Sequence, residues 1–102
     1  MATQPALTFE VKFELDVLAR MRWQALLSVE DMIREIYTLV DELGAMDRTI
    51  FLYTSDHGFH MGQHNMAADK REPYETDIRV PFFVSGPGIP AGQKLPQVVG
   101  MV

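Results

Sequence analysis

The sequence predicts an α/β fold, because one long amphipathic helical stretch precedes two short apolar runs that flank a long polar loop. The 102 residues give room for one small domain, and their apolar share of 47% is typical of a folded chain and not of a disordered one. Residues 1–14 show no sustained period, so we predict that they are irregular. We therefore treat residues 1–102 as a single unit.

The helix is predicted over residues 15–43, which contain no proline or glycine. Its apolar residues recur at the three-and-four spacing of one helical face. These residues are Val29, Met32, Ile33, Ile36, Leu39, Val40 and Leu43. Gly44 follows directly, at the position where a left-handed glycine commonly ends a helix. We expect the helix to stop there.

Two strands are predicted, at residues 49–54 and 80–84, from short runs rich in β-branched and aromatic residues. The first run has no helical face, so we expect it to be a buried strand that helps to form a modest core. Pro81 lies near the start of the second run, which suits a strand end or an edge. Between the strands, residues 55–78 form a loop much longer than usual, and loops of that length are often functional.

Composition excludes several classes of function. The net charge is −5 and the basic residues are scattered, which argues against nucleic acid and anionic membranes as partners. Charges interrupt the apolar stretches before they reach the length of a transmembrane segment, and residues 1–9 lack the pattern of a secretory signal. The absence of cysteine excludes a Cys nucleophile and thiolate metal ligands within these residues.

Asp56, His57 and Gly58 come directly after the first strand, where α/β sheets usually place ligands. A carboxylate suits a hard divalent cation, an imidazole suits several metals, and Gly58 would let the backbone turn sharply beside the ion. Asp-His-Gly also occurs in ordinary turns, in which the Asp accepts a hydrogen bond from a backbone amide. The tripeptide alone leaves both interpretations open.

The rest of the loop extends this pattern. In order, the chain contains Ser55-Asp56-His57-Gly58, Gly62-Gln63-His64, Asp69-Lys70-Arg71, Tyr74-Glu75, Arg79-Val80-Pro81 and Gly86-Pro87-Gly88. This series resembles the sulfatases of the alkaline-phosphatase-like superfamily, over most of residues 22–92. Within that family the resemblance is strongest to the N-acetylglucosamine-6-sulfatases, followed by the heparan-sulfate 6-O-endosulfatases. It implies a partial alkaline-phosphatase-like fold, with residues 55–78 as the active-site loop.

The resemblance also implies roles for particular residues. Asp56 and His57 match two ligands of a calcium ion, and Lys70 matches the catalytic lysine that contacts the sulfate ester. A compact ammonium suits that role because it can neutralise developing charge on sulfate oxygens. His60 and His64 are candidates for substrate binding, although loop histidines that bond to the backbone are an equal alternative. Glu75 and Arg79 are expected to hold the loop to the sheet through buried hydrogen bonds and an ion pair.

Two further parts of a sulfatase site have no match in these residues. The family requires a Cys or Ser that is converted to formylglycine, and an early Asp-Asp pair that supplies more calcium ligands. We therefore expect the chain to be a fragment, a partial gene product or a degenerate relative that is inactive alone and needs the remainder of the domain. The implied substrate is a sulfated sugar or glycosaminoglycan such as heparan or keratan sulfate, in the lysosome or at the cell surface.

Other functional classes remain open. A related phosphatase, phosphodiesterase or phosphoglycerate mutase would present an Asp-His pair on the same fold, usually with two transition metals. Lys70 followed by Tyr74-Glu75 and Arg79-Val80-Pro81 favours the sulfatase. A module that binds glycosaminoglycan without hydrolysing it is the second alternative.

Overall fold

The computed structural model describes residues 4–100, which contain one long helix and a pair of strands. The helices are α1 (Phe9–Glu42) and the single turn α2 (Glu75–Ile78), and the strands are β1 (Phe51–Thr54) and β2 (Phe82–Ser85). Two 3-10 turns lie at Met46–Arg48 and Gln63–Asn65. The predicted succession of helix, strand, long loop and strand is confirmed.

Helix α1 begins at Phe9, so the prediction that residues 1–14 are irregular was wrong for its second half. Thr8 is the N-cap, and its Oγ1 accepts a hydrogen bond from the Val11 N–H at 3.4 Å. The early start was hidden because Phe9, Val11 and Phe13 alternate at a spacing of two, which obscures the helical period.

The other end of α1 follows the prediction. The helix stops at Glu42, and Gly44 adopts a left-handed conformation with φ of 59°. The Gly44 N–H donates to the Asp41 carbonyl at 2.8 Å, and the Ala45 N–H donates to the Val40 carbonyl at 3.0 Å. This pair of bonds is a Schellman motif, which satisfies carbonyls that the helix itself leaves free.

Strands β1 and β2 pair antiparallel, with Phe51 opposite Ser85 and Thr54 opposite Phe82. Each strand starts two residues later than predicted, and β2 begins directly after Pro81, which cannot donate to the ladder. Because the strands run in opposite directions, the long loop leaves β1 and re-enters β2 at the same end of the sheet. The loop is therefore closed at its base by the pair Thr54 and Phe82.

Helix α1 packs against the sheet through Tyr37. The Tyr37 ring stacks on Phe51 at a centroid distance of 3.9 Å, and its hydroxyl lies 3.2 Å from Ser85 Oγ. No apolar side chain among residues 4–100 is fully buried, and Leu52 of β1 is 59% exposed. The predictions of a buried strand and a modest core were wrong for these residues, because a single helix and one partner strand cover too little of β1.

Candidate active site

Asp56 and His57 follow β1 after the single residue Ser55, as the sequence predicts. Asp56 Oδ1 accepts a hydrogen bond from the His57 N–H at 3.0 Å, and Ser55 Oγ donates to the His57 carbonyl at 2.9 Å. The Asp56 side chain is 84% exposed, whereas that of His57 is 34% exposed. The first turn of the loop therefore presents an exposed carboxylate beside a half-buried imidazole.

Gly58 brings the beginning of the loop against its end. The Gly58 N–H donates to the Asp77 carbonyl at 2.7 Å, and the Phe59 N–H donates to the Thr76 carbonyl at 2.8 Å. A Cβ at position 58 would overlap the Thr76 carbonyl oxygen. Glycine is thus required here for the close approach of two backbone segments, a different reason from the sharp turn beside an ion that the sequence suggested.

The structure brings Lys70 to His57, thirteen residues earlier in the chain, with Lys70 Nζ 2.7 Å from His57 Nε2. Because an ammonium only donates, Nε2 accepts in this contact. The proton is then on Nδ1, which lies 2.6 Å from the Gly58 carbonyl and donates to it. This tautomer leaves the Nε2 lone pair directed toward Lys70.

Lys70 is held in place by Asp69. The His60 N–H donates to the Asp69 carbonyl at 2.9 Å, and the Asp69 N–H donates to the His60 carbonyl at 3.3 Å, which forms an isolated antiparallel bridge. The Asp69 carboxylate also accepts from the Lys70 N–H at 2.8 Å. Its neighbour Arg71 is exposed and lies 3.7 Å from the same carboxylate, as expected for a surface pairing residue.

His60 and Asp77 form a buried pair. His60 Nδ1 lies 2.9 Å from both carboxylate oxygens of Asp77, which also accepts from the Glu72 N–H at 2.9 Å and from the Thr76 hydroxyl at 3.1 Å. Burial raises the pKa of Asp77, but the hydrogen bonds from Glu72, His60 and Thr76 together outweigh it and hold that pKa below its ordinary value of 3.8. His60 is 2% exposed, so it does not line the accessible part of the loop.

His64 lies elsewhere in the loop, where its ring stacks on Tyr74 at 4.3 Å. Its φ of 57° and that of Asn65, 58°, place two consecutive residues in the left-handed region. Within residues 4–100, His64 makes no hydrogen bond to Asp56, His57 or Lys70. Its predicted role in substrate binding stays a prediction.

The predicted ion pair between Glu75 and Arg79 is present, at 3.3 Å across one turn of α2. The predicted burial was wrong, because the two side chains are 75% and 81% exposed. The loop is instead held by the buried acid Asp77 of the same short helix.

Helix α1 supports the loop from one side. The Arg22 guanidinium lies 4.9 Å above the Phe59 ring and donates to Met61 Sδ at 3.4 Å. Farther toward the N-terminus, Leu15 lies against Gly62, where an added Cβ would be 3.2 Å from the leucine methyl. The position of the loop therefore depends on the helix as well as on the sheet.

The donor set fits part of a metal site. Asp56 offers exposed carboxylate oxygens and His57 an imidazole nitrogen, two types of donor that bind metal ions in proteins. No group of three or more His, Cys, Asp or Glu side chains among residues 4–100 is arranged to hold an ion. Calcium takes about six to eight oxygen ligands, so these two residues would be a minority of its shell.

Comparison with known proteins places this loop in a family. The family model described as Sulfatase matches residues 8–102. The chain belongs to the sulfatase family. The resemblance that the loop motifs suggested is thereby confirmed, and it extends to residues of α1 that the motifs did not cover.

Several relatives are similar to this sulfatase chain. It is 46% identical to a putative extracellular sulfatase Sulf-1 homolog of Caenorhabditis elegans over 84 residues, and these residues cover 82% of the chain and 12% of the relative. It is 40% identical over 101 residues to the N-acetylglucosamine-6-sulfatase of Homo sapiens, 99% of the chain and 18% of the relative. An arylsulfatase of Volvox carteri is 39% identical over 80 residues, 78% of the chain and 12% of the relative.

The sulfatase chain thus spans less than a fifth of the length of these relatives. No solved structure is significantly similar to it. Among the described residues, no helix combines the length and apolar character needed to cross a membrane.

Sequence reasoning missed Asp69 and Asp77 as residues that shape the site. Asp77 is separated from His60 by seventeen positions, and neither residue belongs to a periodic pattern. The sequence shows only that Asp77 is an acidic residue between a polar segment and an apolar strand. Many exposed turns have the same composition, so this position does not predict burial. The pairing became visible only with the fold.

Proposed function

We propose that this chain forms part of the active site of a sulfuric ester hydrolase. In this proposal Asp56 and His57 bind a calcium ion, and Lys70 contacts the sulfate ester. The observation that carries it is the distance of 2.7 Å between Lys70 Nζ and His57 Nε2, which brings the two candidate functions to one place. Membership of the sulfatase family supports the assignment of the reaction class.

The chemistry of each residue supports its role. The Asp56 carboxylate is exposed and keeps Oδ2 free of backbone hydrogen bonds, so it is available to a cation. The His57 ring is fixed by its Nδ1–H on the Gly58 carbonyl, and its Nε2, which accepts from Lys70 in this structure, would become open to the ion when Lys70 turns to the sulfate oxygens. Lys70 places a positive charge beside them, where it would bind sulfate oxygens and stabilise their charge as the ester bond breaks.

Two groups would complete such a site. Calcium would neutralise charge on the sulfate, and a formylglycine would supply the nucleophile. The 102 residues contain no cysteine and no Ser-X-Pro-X-Arg sequence from which formylglycine could form. We propose that this group and the remaining calcium ligands come from other parts of a sulfatase domain, which would have the alkaline-phosphatase-like fold.

The proposed substrate is a sulfated glucosamine, free or within heparan or keratan sulfate. The similarity to an N-acetylglucosamine-6-sulfatase and to a protein named as an extracellular sulfatase supports this choice. The relative named as a putative extracellular sulfatase supports an extracellular location, and a lysosomal location is the alternative that we propose from the family resemblance.

The test uses the protein expressed from its complete coding sequence, with Lys70→Ala as the variant and Arg71→Ala as the matched control. Removal of a charge-stabilising donor typically lowers turnover by about 100- to 1000-fold. We expect a loss of that size in kcat/KM for N-acetylglucosamine 6-sulfate with Lys70→Ala, and less than a threefold loss with Arg71→Ala. Thermal unfolding should change little in both, because both side chains are exposed.

Three results would contradict the proposal. Equal losses in the two variants would show that Lys70 has no special role. Hydrolysis of phosphate esters but not of sulfate esters would favour a related phosphatase or phosphodiesterase. Binding of sulfated sugar without turnover by the unsubstituted protein would favour a glycosaminoglycan-binding protein.

A further inference from the structure

The burial in this chain is unusual, because His60 and Asp77 are the residues that the structure buries within positions 4–100, and both are polar. Burying a carboxylate is unfavourable unless its oxygens are hydrogen-bonded. Asp77 meets that condition through the His60 ring, the Glu72 N–H and the Thr76 hydroxyl. A fully bonded buried acid in a loop whose other residues, apart from His60, are all partly or fully exposed needs an explanation beyond hydrophobic packing.

We propose that His60 and Asp77 are positioning residues that hold Lys70 against His57. The proposal rests on the proposed function, in which those two residues act on sulfate and metal. The His60 and Asp77 side chains make no hydrogen bond to the Lys70 ammonium or to the His57 ring, so they would act on these two groups through the backbone.

The connection can be followed bond by bond. The carboxylate of Asp77 holds the His60 ring, and the backbone of His60 pairs with that of Asp69 in both directions. Asp69 then fixes the Lys70 N–H through its own carboxylate. The buried contact between Asp77 and His60 therefore helps to fix the backbone position of Lys70.

The same acid fixes the other partner. The Asp77 carbonyl accepts the Gly58 N–H at 2.7 Å, directly after His57. The Gly58 carbonyl in turn accepts from His57 Nδ1 and orients the ring. Asp77 is thus joined to the His57 segment through its backbone and to the Lys70 segment through its side chain, so a shift of residue 77 caused by loss of its charge should affect both segments.

Asp77→Asn is the decisive variant, and Glu75→Gln is its matched control in the same helical turn. An Asn side chain has one acceptor oxygen, so its NH₂ would face a donor that now binds the carboxylate. The Glu75 side chain is exposed, and among residues 4–100 its carboxylate pairs with Arg79 alone. Both substitutions replace a carboxylate by its amide and differ mainly in burial.

The first measurement is amide hydrogen exchange in the protein expressed from its complete coding sequence. We expect Asp77→Asn to accelerate exchange at least tenfold in residues 58–60 and 69–70, and Glu75→Gln to leave these amides unchanged. Acceleration confined to residues 72–78 would overturn the proposal, because the acid would then stabilise only its own turn. His60→Leu should reproduce the effect, and His60→Asn should restore part of the protection, because the Asn NH₂ can replace Nδ1–H.

The second measurement is a double-mutant cycle on sulfate ester hydrolysis. We expect Asp77→Asn to lower kcat/KM at least tenfold when Lys70 is present, but less than threefold in the Lys70→Ala background. Equal factors in both backgrounds would overturn the proposal, since a general loss of stability would be independent of Lys70. If the unsubstituted protein hydrolyses no sulfate ester, the proposed function fails, and the exchange experiment still decides whether His60 and Asp77 hold these segments together.

Discussion

Gly58→Ala should detach the beginning of the active-site loop from its end. The new Cβ would overlap the Thr76 carbonyl oxygen and lie 2.9 Å from its carbon and 3.0 Å from Asp77 Cα. These are backbone atoms, so the two segments must separate, and the hydrogen bonds from the Gly58 and Phe59 amides must break or lengthen. At about 1 kcal/mol for each bond, the closed loop loses about 2 kcal/mol relative to the open one.

The assay for this prediction is amide hydrogen exchange at position 58 and at Phe59, corrected for the intrinsic rate of each sequence. A change of about 2 kcal/mol corresponds to an increase of about 30-fold in exchange rate, since each 1.36 kcal/mol is tenfold. Gly100→Ala is the control, because a Cβ there meets no atom of the described residues within 4 Å. Unchanged exchange at Phe59 in Gly58→Ala would refute the close approach of the two segments.

Three further outcomes are expected. The folded pKa of Asp77 lies below its ordinary value of 3.8, so the stability that its carboxylate contributes is present above pH 3.8 and is lost as the pH falls through the folded value. Acid unfolding of Asp77→Asn should therefore depend less on pH in that range than acid unfolding of the unsubstituted protein does. Tyr37→Leu should lower the free energy of unfolding by about 1 kcal/mol more than Tyr37→Phe in urea denaturation, because only the Leu variant loses the stack on Phe51, and equal effects would contradict this. Thr8→Ala should cost about 0.5 to 1 kcal/mol of helix stability and raise the exchange rate of the Val11 amide, with no effect expected on amides near Gly44.

The elements of the fold could be predicted where a local rule determines them. The end of α1 was predictable because Gly44 terminates the periodic stretch and satisfies the helix carbonyls in a way that depends on a few neighbouring residues. The start at Phe9 was not, because the alternating apolar residues there resemble a strand until Thr8 is seen to cap the helix. Burial was the least predictable property, because the apolar run of β1 carries no information about how much of it other elements cover.

The sequence predicted the residues of the candidate site better than it predicted the contacts between them. The motifs in the loop indicated Asp56, His57 and Lys70, and the structure places His57 and Lys70 in hydrogen-bonding distance. The sequence could not show that His60 would be buried while His64 stays exposed, since both lie in similar polar surroundings along the chain. That difference arises from Asp77, whose partner is distant in sequence and near only in the fold.

The closure of the loop at Thr54 and Phe82 has a consequence for how such a site can diversify. Because the loop leaves and re-enters the sheet at one paired position, its length can change without shifting the register of β1 and β2. The entropic penalty of a longer loop grows slowly, by about 0.6 kcal/mol for each doubling. The segment is therefore suited to exchange between homologues as a unit, provided that the graft also keeps a partner for Arg22 and a small residue opposite Leu15 on the helix.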